Sequence, residues 1–314
     1  MNDMPMMGLG TFIGIEADRI ASPQLRHQTT VNTLLSALRM GYRHLDLAEA
    51  YDNLPAVAEA LRIALQSVDE GGLGLTRDKF WLTMKANAPF DDAHIDHLLA
   101  TVGVTYFDLF LIHHPTECGI FEDESALTQA WSELADVDFE KLHRIGVSNA
   151  YVPHLARLLA LCEREHLDTP YANEVEVNLL FKNQEVTTYC QDHGIHVIAH
   201  SPLGYHCTPL LLENKTLKQL ATAIESTPAQ AALAWSMANG MTVIPKSTHD
   251  AHLAENFASQ DYVHEMQFHS DLTQALVLAP DTFPEGVTAT SEAMKAHAEN
   301  LTWDVGYQGA VFRK

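Results

Sequence analysis

The stretch Arg43-His44-Leu45-Asp46-Leu47-Ala48-Glu49-Ala50-Tyr51 reads as a short apolar strand that runs into a loop bearing an acid and, five residues later, a phenol. Two similar segments follow. Phe80-Trp81-Leu82-Thr83-Met84-Lys85 ends on a lysine, and Phe107-Asp108-Leu109-Phe110-Leu111-Ile112-His113 on a histidine. Each is short, nearly continuously apolar and closed by a polar residue, the pattern of a strand buried on both faces in a parallel sheet. Polar residues often begin loops, but that explains poorly a lysine and a histidine that directly end apolar strands. Asp46, Tyr51, Lys85 and His113 would meet at one end of such a sheet.

Outward from this segment the same unit recurs. Upstream, Gly8-Leu9-Gly10-Thr11-Phe12 reads as a strand and its turn. Ser22-Pro23 supplies the cap and first position of a helix whose apolar residues Leu34, Leu35, Leu38 and Met40 end at Gly41. The glycines do not make a dinucleotide fingerprint, because only seven residues precede them and Gly14 falls one place late for G-x-G-x-x-G. Downstream, helices are expected over about 54–68, 91–100, 124–134, 153–164, 184–193, 217–224, 228–238 and 250–257. Strands are expected through Gly146-Val147-Ser148-Asn149, Asn173-Glu174-Val175-Glu176, Ile195 to His200 and Met241 to Ser247.

Eight strand–helix units in about 250 residues predict an α/β fold, a parallel eight-stranded (β/α)8 TIM barrel, better than an open doubly wound sheet. The expectation is one domain over 1–314, with the barrel at about 8–258 and a C-terminal extension over or beside it at about 259–314. In such barrels the chemistry sits where strands end and βα loops begin. Asp46, Lys85, His113, Asn149, Glu174, Ser201 and Lys246 fall at those positions.

At 314 residues and 46% hydrophobic, the chain buries a large core. Its 19 Lys+Arg against 41 Asp+Glu give a net charge of −22, which repels nucleic-acid phosphates and anionic membrane surfaces. A solvated acidic surface accounts for this charge; adaptation to a salty medium is the sharper reading. Cys118, Cys162, Cys190 and Cys207 form no C-x-x-C pair, so free thiols in a reducing compartment are expected. The N-terminal residues show no basic region or sustained apolar run, and no window approaches a membrane span. A cytoplasmic protein with a small-molecule substrate, monomeric or weakly oligomeric, is the expectation. The 18 histidines include the pairs His113-His114, His193/His196 and His249/His252, but no set has a recognisable ligand spacing, and no metal is expected.

With these residues aligned, the chain resembles the aldo-keto reductase superfamily from Gly8 to about Phe257. The resemblance rests on an ordered set: Gly8 to Phe12; Gly41 to Asp46 with Tyr51 and Asn53; Lys85; Asp108 to Pro115; and Ile145 to Asn149. It continues through Val175-Glu176, Ser201-Pro202-Leu203-Gly204, and Ile244 to Ser247 with Glu255-Asn256. It implies hydride transfer from NADPH to an aldehyde or ketone, with NAD as the alternative cofactor. Tyr51 would be the general acid, Lys85 and Asp46 its supporting pair, and His113 the group that orients the carbonyl. The physics agrees with those roles. A phenol titrates near ~10, and a nearby ammonium, itself held by a carboxylate, favours the phenolate.

By the same resemblance, Ser148 and Asn149 hold the nicotinamide carboxamide. Ser201 and Leu203 belong to the cofactor loop. Lys246, Ser247 and Thr248 take the 2′-phosphate, and Glu255 and Asn256 lie near the adenine. Several positions depart from the pattern. His252 stands where an arginine grips the phosphate, and imidazole is the weaker anchor. Glu174 replaces a glutamine that contacts the carboxamide, which should favour the oxidised, cationic ring. His200 replaces a stacking aromatic. His114 and Asn87 replace aromatics of the substrate pocket, which leaves a more polar site walled by Phe12. Phe283-Pro284-Glu285-Gly286 reads as a turn and Thr290 to Asn300 as a helix. The tail aromatics Trp303, Tyr307 and Phe312 either close over the substrate or pack outside the barrel. The short N-terminus leaves little room for the hairpin that often plugs the barrel's other end. Two rival readings stand beside the reductase: a catalytically weak nicotinamide-binding barrel serving as sensor or structural subunit, and an unrelated barrel enzyme.

Overall fold

Eight parallel strands hydrogen-bond in chain order: β1 Gly8–Gly10, β2 His44–Ala48, β3 Trp81–Ala86, β4 Leu109–Ile112, β5 Ile145–Ser148, β6 Ala172–Glu176, β7 His196–His200 and β8 Thr242–Val243. They are seen in a computed structural model that describes residues 3–13, 22–87, 90–116 and 118–278. The ring closes between β8 and β1. Met7 bridges Val243 in parallel, the Val243 N–H donates to the Met6 carbonyl at 2.8 Å, and the Gly10 N–H donates to the Pro245 carbonyl at 3.1 Å. The expected (β/α)8 barrel is therefore the fold.

Strand periodicity divides the core in two. On β2, Leu45 and Leu47 join the large apolar cluster under the helices, while His44 and Asp46 are buried on the other, inward face. A smaller cluster of Trp81, Leu109, Leu111, Ala172, Ile198 and Ile244 fills the barrel interior, with Met4 and Tyr171 packed on it. The interior also holds polar residues. His44 Nε2 lies 2.9 Å from Thr83 Oγ1, which accepts from Trp81 Nε1 at 3.2 Å. Small residues make this room. A Cβ on Gly8 would lie 2.9 Å from the His44 ring, and one on Gly146 only 2.4 Å from the Ala172 carbonyl oxygen.

The outer ring consists of α1 Pro23–Met40, α2 Leu54–Leu65, α3 Asp92–Val102, α4 Glu124–Ala135, α5 Val152–Glu165, α6 Gln184–Asp192, α7 Lys215–Ala223, α8 Pro228–Ala238 and α9 Asp250–Ala258. Their limits follow local chemistry. The Ser22 hydroxyl accepts from the Leu25 N–H at 3.2 Å to start α1, and Gly41, at φ 111°, ends it in the left-handed conformation. Val31, Leu34 and Leu38 of α1 face the core. Burial of each such side chain is worth about 1.5–3 kcal/mol. The α2 helix stops at Leu65, short of the expected 68. Gln66 becomes extended, and the Gly74 N–H folds back onto the Gln66 carbonyl at 2.8 Å.

The first part of the C-terminal segment lies outside the barrel. A turn at Ser259–Tyr262, a short helix at Glu265–Phe268 and α10 at Ser270–Leu278 pack against α7 and α8, burying Met266 and Leu276. The expected turn at 283–286, the helix at 290–300 and Trp303, Tyr307 and Phe312 lie outside the described residues. Among the described residues, no helix is long and apolar enough to cross a membrane.

Candidate active site

Lys85 occupies the centre of the polar rim. It points inward from β3, is 0% exposed, and its Nζ donates to two carboxylates. One is Asp46 Oδ1 on β2, in a short contact; the other is Glu174 Oε1 on β6, at 2.8 Å. Asp46 and Glu174 are each 2% exposed, so all three groups have left water. The sequence reading anticipated the first pair but not the second. Inward parity on β6 is the signal that could have revealed it, since Glu174 lies opposite Ser148 and shares the interior with Lys85.

Tyr51 stands half-buried in the 3-10 turn Glu49–Tyr51 that follows β2. The turn ends at Asp52, whose φ of 50° reverses the chain toward α2. The Lys85 Nζ lies 5.3 Å from the Tyr51 ring centroid. The Phe12 ring is 5.0 Å from that of Tyr51, tilted, and the His113 ring 5.8 Å away, edge-on. The end of β1 braces this corner. The Thr11 N–H and hydroxyl donate to the Asp46 carbonyl at 3.2 and 2.7 Å, and Asn53 Nδ2 donates to the Thr11 carbonyl at 2.7 Å. The brace was not foreseen from the sequence, because main-chain acceptors leave no mark in residue type.

His113, just past β4, stacks on His114 with ring centroids 4.0 Å apart. Asn149 holds this loop by donating from Nδ2 to the His113 carbonyl at 3.0 Å, with His114 Nδ1 at 3.3 Å. Asn87 accepts from the His114 N–H at 2.9 Å, so it ties the β3 and β4 loops together. His200 on β7 reaches the same cluster, with Nε2 3.4 Å from Asn149 Oδ1 and Nδ1 3.2 Å from Ser201 Oγ. Asn149 and Ser201 both adopt left-handed backbone, at φ 57° and 50°. Ser148 is anchored to β6, its hydroxyl donating to the Glu174 carbonyl at 3.0 Å, and the Asn149 N–H donates to the same oxygen at 2.8 Å.

Burial and these charges set the protonation states. Burial pulls Lys85 downward, but the carboxylates of Asp46 and Glu174 outweigh it and hold the ammonium above its ordinary value. Burial raises Asp46, against the pull of Lys85. Glu174 is pushed up to about 8 by burial and by Asp46, with Lys85 opposing. Burial raises the Tyr51 phenol despite Lys85, so it keeps its proton at neutral pH. His113 is held well below the usual imidazole range by burial, Lys85, His114 and His200, and His200 falls to about 3 by burial and Lys85. Both imidazoles are thus neutral.

The remaining candidates cluster past β8. Ser247 is buried, and its hydroxyl accepts from the His249 N–H at 3.0 Å. Lys246 and Thr248 flank it, half-buried, just before the N-terminus of α9. His252 is exposed in the first turn of α9, 5.4 Å from the His249 ring. Glu255 accepts at its carbonyl from Gln230 Nε2 at 3.2 Å, and Asn256 is buried. Leu203 is half-buried in the loop after β7. Trp303 lies outside the described residues. No three His, Cys, Asp or Glu among the described residues are grouped to hold a metal ion.

A barrel with this polar rim matches a known family: the Aldo/keto reductase family model covers residues 6–276, and the chain belongs to that family of oxidoreductases. It is 34% identical to the D/L-glyceraldehyde reductase of Hypocrea jecorina over 71% of this chain and 74% of that protein. It is 30% identical to a methylglyoxal reductase of Escherichia coli O157:H7 over 82% and 88% of the two chains. Among solved structures, an aldo-keto reductase from a Medee basin deep-sea metagenome library superposes with a TM-score of 0.71 at 26% identity, over 92% of this chain and 97% of that one.

Proposed function

We propose that the protein reduces small polar aldehydes or ketones with NADPH, using Tyr51 as general acid. The observation that carries this reading is the convergence of a protonated phenol, a doubly paired ammonium and a neutral imidazole at one end of the barrel. The residues present suit a nicotinamide cofactor. Glu174 Oε2 and His113 Nδ1 are buried without a protein partner. Lys246, Ser247 and Thr248 precede the N-terminus of α9, where a lysine and free backbone N–H groups favour phosphate. When bound, such a cofactor supplies the hydride.

The protein's own residues supply the rest. Tyr51 gives its proton to the carbonyl oxygen as charge develops there, and Lys85 stabilises the phenolate left behind. Asp46 and Glu174 keep the ammonium charged and in place. His113, being neutral, donates a hydrogen bond without adding a competing acid. The carbonyl carbon gains hydride and its oxygen gains the Tyr51 proton, giving the alcohol. His113, His114, Asn87 and Asn149 bring hydrogen-bonding groups to the rim, beside an apolar wall formed by Phe12. Such walls suit glyceraldehyde-like and methylglyoxal-like substrates, the kinds named for the two relatives.

The test is NADPH oxidation with glyceraldehyde, methylglyoxal and an aromatic aldehyde, using Tyr51→Phe as control. The small polar substrates should give the higher kcat/KM. Tyr51→Phe should lower kcat roughly 10²–10⁴-fold, with NADPH affinity kept. Near-normal turnover in Tyr51→Phe would refute the assignment of the acid.

A further inference from the structure

The pairing of Lys85 with two carboxylates has a consequence that the proton-donor role of Tyr51 does not require. Asp46 and Lys85 together are neutral. An ionised Glu174 brings the buried trio to a charge of −1, and a protonated Glu174 brings it to zero. The trio lies in a region from which water has been removed, so the unbalanced charge is costly. Glu174 Oε1 is committed to Lys85. Its second oxygen, Oε2, is buried with no protein partner. An orphaned carboxyl oxygen nine-tenths or more buried and beside the reacting groups is a feature that a glutamine at this position would not offer as a proton site.

We propose that Glu174 is a positioning residue that exchanges a proton with solvent according to the charge of the bound nicotinamide ring, so that the protein's preference between oxidised and reduced cofactor depends on pH. This rests on the cofactor use argued above. The oxidised ring carries a positive charge and the reduced ring none. Ionised Glu174 therefore favours the oxidised form, and protonated Glu174 the reduced form. By linkage, NADP⁺ binding releases a proton from Glu174, and NADPH binding takes one up.

The groups around Glu174 are accounted for. Asp46 faces it from β2, Lys85 from β3 and Tyr51 from the turn after β2. Through Lys85, His113 of β4 and His200 of β7 join the same set, and both stay neutral near pH 7. β5 contributes the uncharged Ser148 and Asn149, and Glu176 lies two residues further along β6. Burial together with Asp46 puts the Glu174 titration near neutral pH, about 8, where the effect falls in an accessible range. Tyr51 titrates above it and the histidines below.

The experiment measures dissociation constants of NADPH and NADP⁺ by quenching of intrinsic fluorescence between pH 6 and pH 9, for the intact protein and for Glu174→Gln. Both cofactors carry the same 2′-phosphate, so its titration cancels in the ratio of the two constants. In the intact protein, the ratio Kd(NADPH)/Kd(NADP⁺) should rise about tenfold or more over that range, equivalent to one pKa unit of differential interaction. In Glu174→Gln it should be flat. Proton uptake on NADPH binding, measured for the intact protein by calorimetry in buffers of different ionisation enthalpy, gives a second reading that needs no variant. A flat ratio with no difference in proton exchange between the two cofactors overturns the inference, as does the same slope in Glu174→Gln. If neither cofactor binds, the reductase reading falls and takes this inference with it.

Discussion

Replacing Lys85 with methionine, which has similar length and no charge, should make the stability of the fold strongly dependent on pH. In the native site the ammonium is fully buried and is the common partner of Asp46 and Glu174. Removing it leaves two carboxylates in one dry space with no cation between them. Breaking a buried pair by deleting one partner costs about 3–5 kcal/mol. Protonation is the route by which the variant escapes that cost. The two groups already lie above their ordinary values through burial, with Lys85 the opposing influence on both. Without Lys85 they rise further. A carboxyl group whose folded-state pKa exceeds its unfolded value stabilises the fold below the unfolded pKa, and this is lost as pH rises through the folded pKa. The variant should therefore be near parent stability at pH 5 and lose roughly 3–5 kcal/mol by pH 8. Glu174 is protonated over most of this range in the parent as well, so the gap between variant and parent widens by at most about 1.4 kcal/mol per pH unit, the proton of Asp46. Urea unfolding followed by tryptophan fluorescence at both pH values, without cofactor, measures the difference. A loss of equal size at pH 5 and pH 8, or a larger one in acid, would show that the trio is not organised around the ammonium.

Two further substitutions probe the cofactor end and the barrel interior. His252→Arg, in the first turn of α9, should tighten NADPH by roughly tenfold, as expected for one charge-assisted hydrogen bond. NADH affinity should stay unchanged, and an equal gain for both cofactors would mean that residue 252 does not meet the 2′-phosphate. Gly146→Ala puts a Cβ 2.4 Å from the Ala172 carbonyl oxygen and 2.8 Å from Leu111 Cδ2. It should cost about 1–3 kcal/mol in denaturant unfolding through forced strand separation, and an unaltered midpoint would contradict that packing.

The fold was legible because each strand is short, apolar and closed by a polar residue, and because helix signals such as Ser22-Pro23 and Gly41 sit where the chain uses them. The eight strands and their helices fall within a few residues of expectation. The α2 end differed because Gln66 to Gly74 form a turn whose hydrogen bonds run backbone to backbone, and side-chain pattern does not report those. Residues 259–278 pack on α7 and α8, since Met266 and Leu276 supply enough apolar surface to dock there. At the site, strand ends announced Asp46, Lys85 and His113. The contact between Lys85 and Glu174 spans 89 positions, and only the closure of the barrel brings them together. Asn87 was read as a pocket residue from its place in the chain. In the structure its Oδ1 accepts a hydrogen bond from the His114 N–H, which ties it to the β4 loop.

The division of the core explains how the barrel tolerates a charged centre. The large cluster between strands and helices contains most of the buried apolar side chains, whereas the interior cluster has six. Burying Lys85, Asp46 and Glu174 costs several kcal/mol per ion before pairing. The outer cluster is where burial opposes that cost, each of its aliphatic residues contributing about 1.5–3 kcal/mol. Stability is thus supplied from outside the strands, and the inward positions are released for chemistry. The same separation makes the interior exacting. His44, Thr83 and Trp81 form one hydrogen-bonded set and the Lys85 trio another, with small residues at Gly8 and Gly146 keeping the space open. A change at Lys85 bears on stability, on the charge of the site and on the Tyr51 phenol together.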